Sequence, residues 1–191
     1  MYRSATPTRT ISILLLAALC ACSAGKSKKE LKSERKLAKQ EQNASIEGTT
    51  PGAATGDLSK FAATGCDASL WNHVYDPTRL QQLSPCVSAT GIVQESTVDD
   101  DGDQHFLLVL DPGQDALVNK RNQKKKTGAL VVEIVCANPA LLKKARASCA
   151  NYRNSIAKPV VGSHVRATGT LVIDSHNGWM EIHPVSQLQG M

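Results

Sequence analysis

Ser163-His164-Val165-Arg166-Ala167-Thr168-Gly169-Thr170-Leu171-Val172-Ile173-Asp174, then Ser175-His176-Asn177-Gly178, then Trp179-Met180-Glu181-Ile182-His183-Pro184-Val185, spell two strands and the turn between them. Asn-Gly readily takes the positive φ that a tight hairpin turn requires. Side chains of a strand point alternately to its two faces. In the first run Val165, Ala167, Gly169, Leu171 and Ile173 therefore form an inward set, with His164, Arg166, Thr168 and Thr170 outside. In the second, Met180 and Ile182 face inward, while Trp179, Glu181 and His183 face outward together.

Three more strand-like stretches precede this pair: residues 87–96, 104–110 and 129–136. Gly91 marks a bend or bulge in the first, and Asp99-Asp100-Asp101-Gly102-Asp103 is a hairpin signal before the second. In the third, Leu130, Val132, Ile134 and Cys136 point inward and Glu133 outward; if Phe106, Leu108 and Leu110 are core, His105 is outside. Asp111-Pro112-Gly113 opens a long polar loop that carries Lys120-Arg121-Asn122-Gln123-Lys124-Lys125-Lys126. Residues 139–150 read as a helix, with Asn138 as N-cap and Pro139 in its first position. The resulting order, β-β-β-α-β-β over residues 86–188, resembles the OB-fold, a mainly β, five-stranded Greek-key barrel. An open five-stranded sheet with one packed helix is the alternative. Before the first strand, Cys66-Asp67-Ala68-Ser69-Leu70-Trp71-Asn72-His73-Val74-Tyr75-Asp76-Pro77 holds aromatics without a clear period. This segment is expected to be an irregular cap stapled to the first strand.

The N-terminus belongs to a different module. Arg3 and Arg9 flank a charged start, residues 11–19 are apolar but too few to span a bilayer, and Leu19-Cys20-Ala21-Cys22-Ser23 follows. The pattern resembles a bacterial lipobox. It implies a signal peptide over 1–21, palmitate-type acylation of Cys22, and a lipoprotein held at the cell membrane or outer membrane, facing the periplasm or exterior. Ser23 after Cys22 resembles lipoproteins sorted to the outer membrane. Residues 22–57 read as a flexible basic tether and 58–191 as the globular domain. Residues 22–45 carry seven basic and three acidic side chains, whereas residues from Ile46 onward carry 13 and 14. The net charge of +5 therefore misrepresents a nearly neutral body. Nucleic-acid affinity rests mainly on phosphate neutralisation, so dedicated DNA binding is disfavoured.

Four cysteines remain beyond Cys22: Cys66, Cys86, Cys136 and Cys149. An even number in an exported chain reads as two disulfides, and sequence-local pairing predicts Cys66–Cys86 and Cys136–Cys149. No CxxC spacing favours zinc at these thiols.

A barrel of this order sets the third strand between the second and fifth. His105, Glu133, Glu181 and His183 then share one outer face with Trp179. His105, Glu181 and His183 are suitable ligands for a divalent metal such as zinc; the plainer reading makes Glu181 and His183 surface residues, with Trp179 packed under the cap. Trp179, Glu133, Lys124, Lys125 and Lys126 are candidates for contacting a ligand, the lysines an anionic one. The Asp99–Asp103 run lacks the later glutamate of an EF-hand loop, which favours a solvated hairpin tip over calcium. Few aromatics accompany the lysine run, which weakens single-strand binding through base stacking. Nucleophile-elbow, Walker and dinucleotide fingerprints are absent from the sequence.

The motifs Trp71-Asn72-His73-Val74-Tyr75-Asp76-Pro77, Asp101-Gly102-Asp103-Gln104-His105 and Gly178-Trp179-Met180-Glu181-Ile182-His183-Pro184-Val185 together resemble a set of small exported or lipid-anchored bacterial proteins of uncharacterised role. The resemblance covers residues 66–188. It implies that the three polar motifs act together as a ligand or metal site, and it transfers no catalytic residue. The expectation is a lipid-anchored extracytoplasmic binding or envelope-associated module without catalysis, its partner an envelope protein or an anionic ligand. The alternatives are a metal-dependent hydrolase, phosphodiesterase-like, using His105, Glu181 and His183, and, less favoured, an extracytoplasmic nucleic-acid binder.

Overall fold

The computed structural model describes residues 56–191. The signal peptide, Cys22 and the tether up to residue 55 lie outside the described residues. Among the described residues no helix is long and apolar enough to cross a membrane.

Alternating apolar residues make five strands here: β1 (Leu80–Val98), β2 (Gln104–Leu110), β3 (Leu130–Ile134), β4 (His164–Asp174) and β5 (Met180–Gly190). They hydrogen-bond in the order β1-β2-β3-β5-β4, and β4 returns to β1 to close a barrel. All pairs are antiparallel except β3 with β5, so the sheet is mixed. The inward sets expected from alternation meet inside. Phe106, Leu108, Leu130, Val132, Leu171 and Ile182 are fully buried in one core.

β1 starts earlier than residue 87 because two register shifts, at Gln82/Ser84 and Ser84/Val87, absorb Pro85. Gly91 pairs with β2 on one side and β4 on the other. A Cβ there would lie 2.1 Å from the Val109 carbonyl oxygen, so no side chain fits. Gly102 turns the β1–β2 hairpin at φ 98°, with the Asn138 carbonyl oxygen 2.6 Å from where its Cβ would be.

Two expectations fail between the strands. The helix over 139–150 is absent; the segment is irregular, with one 3-10 turn at Lys143–Ala147. Its backbone is committed elsewhere: Leu141 and Leu142 N–H donate to the Asp100 carbonyl, and Cys136, at φ 52°, turns the chain into a disulfide with Cys149. The supposed lysine loop instead holds a short helix, α1 (Lys120–Lys125). Asn119 and Asn122 form a reciprocal capping box. Buried Asn122 also accepts from Met180 N and donates to the Ala129 and Met180 carbonyls. Amide bonds rather than an apolar stripe hold α1.

Both disulfides pair as expected, Cys66–Cys86 with Cα atoms 5.7 Å apart and Cys136–Cys149 with 5.5 Å. The first staples the cap to β1. Within the cap, 3-10 turns at Ala68–His73 and Pro77–Arg79 place Leu70, Val74 and Trp71 over Val172 of β4 and Val135. The His73 ring stacks on Tyr152 with centroids 3.6 Å apart, tying the cap to the 137–152 segment.

Candidate functional site

Register builds the site. His105 of β2 lies opposite Glu133 of β3, and Val131 of β3 opposite Glu181 of β5. The four outward-pointing side chains His105, Glu133, Glu181 and His183 therefore converge. His183 Nδ1 is 2.8 Å from Glu133 Oε2 and 3.2 Å from Glu181 Oε1. His105 Nδ1 lies 3.3 Å from Glu133 Oε1 and 3.5 Å from Asp99 Oδ2. Trp179 Nε1 donates to Glu181 Oε2 at 2.7 Å, so both Glu181 oxygens are engaged within the protein.

Outward from the barrel does not mean exposed. Glu181 and His183 are 0% exposed and Glu133 only 5%, which overturns the surface reading of Glu181 and His183. Trp179 does not lie under the cap. It packs with Leu107, Ala129 and Val131, and the Lys126 ammonium stands 4.3 Å over its ring. Of the three candidate lysines, Lys124 and Lys125 are exposed on α1, and Lys126 alone reaches the histidine, its Nζ 3.5 Å from His105 Nε2. The acidic hairpin tip is not simply solvated either: Asp103 is 2% exposed, and its Oδ1 accepts from Cys136 N at 2.7 Å.

Two participants escape the sequence reading, Arg79 and Asp174, while Asp103 enters it only as part of the Asp101–His105 motif and the acidic hairpin tip. Arg79 reaches from the cap to Asp174, with Glu133 Oε2 3.9 Å away. Asp174 is fully buried and accepts from His176 N, Asn177 N and Asn177 Nδ2 in the β4–β5 turn. An Asp at the end of a strand before Asn-Gly was the available signal for its turn-capping role. Nothing local marks Arg79.

Charge in this enclosure is strongly interdependent. Burial alone would lower the His183 pKa, but Glu133 and Glu181 outweigh it and hold it well above the usual imidazole value. Burial opposes ionisation of Glu133 too, yet His183 and His105 keep its pKa well below the ordinary carboxylate range. Glu181 is raised by burial and by repulsion from Glu133. Burial would lower His105, but its bonds to Asp99 and Glu133 lift it to about 9. Asp103 is pushed up to about 7, chiefly by burial.

Above this floor lies an open cleft of about 400 Å³, lined by Arg79, Glu95, Thr97, Asp99, His105, Lys126, Glu133, Asn177 and Trp179. It sets three cationic groups, Arg79, His105 and Lys126, beside three carboxylates, Glu95, Asp99 and Glu133, with one indole wall, an arrangement suited to binding a polar ligand. No protein-family model matches this chain, and a search of curated proteins finds no match to it.

Proposed function

We propose that this protein is a lipid-anchored extracytoplasmic binding module, an OB-like Greek-key barrel that takes an anionic envelope ligand in the cleft beside α1 and performs no catalysis. The observation that carries the reading is the cleft itself, in which Arg79, His105 and Lys126 stand beside the Trp179 indole. Protonated His105 adds positive charge at neutral pH, given a pKa of about 9. Glu133 and Glu181 are spent on internal partners, so neither stands ready as a free base for hydrolysis. The strand order supports an OB-like barrel, and the two disulfides are compatible with an oxidising compartment.

Titration of the full-length protein with a carboxylated oligosaccharide, oligogalacturonate, tests the cleft through Trp179 fluorescence. Binding should quench or shift the emission and weaken with salt, since exposed charge contacts are screened. Lys126→Gln should abolish the response, and Trp179→Phe should remove the signal while Trp71 emission stays. A flat titration, or one that survives Lys126→Gln, overturns the cleft as an anion site. Anchoring is tested separately by Cys22→Ser, which should move the protein from the membrane to the soluble fraction.

A further inference from the structure

Beneath the cleft, two polar atoms have no hydrogen-bond partner: Asp103 Oδ2 and His183 Nε2, both enclosed. They are 3.7 Å apart, beyond the range of an N–H···O bond. Buried polar atoms are almost always satisfied. Two unsatisfied ones so close together point to a ligand shared between them.

The rest of His183 is arranged as in a metal-bound imidazole. Its Nδ1 faces Glu133 and Glu181 at 2.8 and 3.2 Å. An N–H donated to a carboxylate from one ring nitrogen fixes the ring's orientation, and a cation takes the lone pair of the other nitrogen by displacing its proton. Asp103 is oriented likewise, because its Oδ1 is held by Cys136 N. Glu133 supplies a third donor: ligand atoms of Asp103, Glu133 and His183 all lie within 4.8 Å of one another. Because Glu181 also faces Nδ1–H, Glu133 Oε2 can exchange its contact with His183 for the ion while Oε1 stays with His105. Zinc bonds of about 2.0–2.2 Å place two ligand atoms roughly 3.4 Å apart at the tetrahedral angle and up to about 4 Å as it opens, which brackets the observed gap.

Charge separates a cation from a bridging water. Four carboxylates, Asp101, Asp103, Glu133 and Glu181, bear on this site against three positive groups, Arg79, His105 and protonated His183. A divalent ion that displaces the His183 Nε2 proton adds net positive charge among these carboxylates, and a water does not. A second trio, Asp99, His105 and Glu133, also lies within coordinating distance, but it is nearer the surface and has no unpartnered buried atom.

We infer that Asp103, Glu133 and His183 form an enclosed structural site for a divalent transition-metal ion of the zinc class, tying the β1–β2 turn to β3 and β5. The inference goes beyond the ligand-binding reading and does not depend on it.

The test strips full-length, untagged protein with EDTA and adds zinc, followed by calorimetry and by NMR of ¹⁵N-histidine-labelled protein. One equivalent of zinc should bind, raise Tm, and give the Nε2 shift of a metal-bound ring at buried His183 and not at His105. Asp103→Asn should weaken binding by at least about 100-fold, given that even outer-shell changes cost about 10–100-fold. His164→Gln, whose ring pairs with Asp111 away from this site, should leave affinity unchanged. Absence of zinc uptake (a bridging water only), the metal-bound shift at His105 or at neither ring, or undiminished affinity in folded Asp103→Asn overturns the inference. If Asp103→Asn does not fold, the identity of the responding imidazole in the wild-type protein decides.

Discussion

Asp174 holds two structures with one carboxylate. It caps the β4–β5 turn through three donors and pairs with Arg79, which it anchors beneath the cleft. Removing one partner of a buried ion pair leaves the other charge without compensation. Asp174→Ala should therefore cost about 3 kcal/mol in urea denaturation and displace Arg79. His105 carries a pH dependence whose sign follows from its raised pKa. Its stabilising pairs with Asp99 and Glu133 are fully present below pH 6.5 and are lost as pH rises through about 9. A shift of this size is worth about 3 kcal/mol. Asp103, pushed up to about 7 by burial, acts in the same direction from its ordinary value to pH 7, because the folded state holds the proton the longer. In EDTA, Tm should fall between pH 6.5 and 9, and His105→Gln should flatten the decline over that range.

Among the elements, α1 depends on one side chain. Asn122 joins the Asn119 cap, the Ala129 carbonyl and both backbone groups of Met180. Its loss strands several buried groups, each costing about 1–3 kcal/mol. Asn122→Ala should destabilise by about 2–4 kcal/mol in urea melts and free Lys126 from the Trp179 ring, visible as a change in indole fluorescence. Sequence periodicity could not reveal α1, because Lys120–Lys125 has no apolar stripe and is fixed by contacts distant in the chain. Residues 139–150 show the converse, a helix-start signal without a helix. Asn138-Pro139 is a genuine helix-start signal, but the Cys136–Cys149 bridge and the bonds to Asp100 impose another path. The strands were legible because alternation is local and their inner faces are apolar. Convergence of His105, Glu133, Glu181 and His183 was legible as a shared face; the burial of Glu133, Glu181 and His183 was not, since Arg79 and Asp103, which stand against Glu133 and His183, come from elsewhere in the chain.

At the scale of the molecule, the disulfides divide the work. Cys66–Cys86 fixes the cap to β1, while Cys136–Cys149 fixes the segment that crosses the acidic hairpin. Closing the latter loop, with its sequence separation of 13, is worth about 3 kcal/mol in the chain-entropy model. Cys136→Ser with Cys149→Ser should lower stability by about that amount. Cys66→Ser with Cys86→Ser should instead open residues 58–79 to limited proteolysis while the barrel stays protected. The β4-to-β1 closure has its own result. An open sheet presents two rows of unpaired N–H and C=O groups that can template pairing with another chain. Here β1 pairs with β4 from His164 to Asp174, so, among the described residues, that seam gives crowded copies no free margin along which to zip together into fibrils.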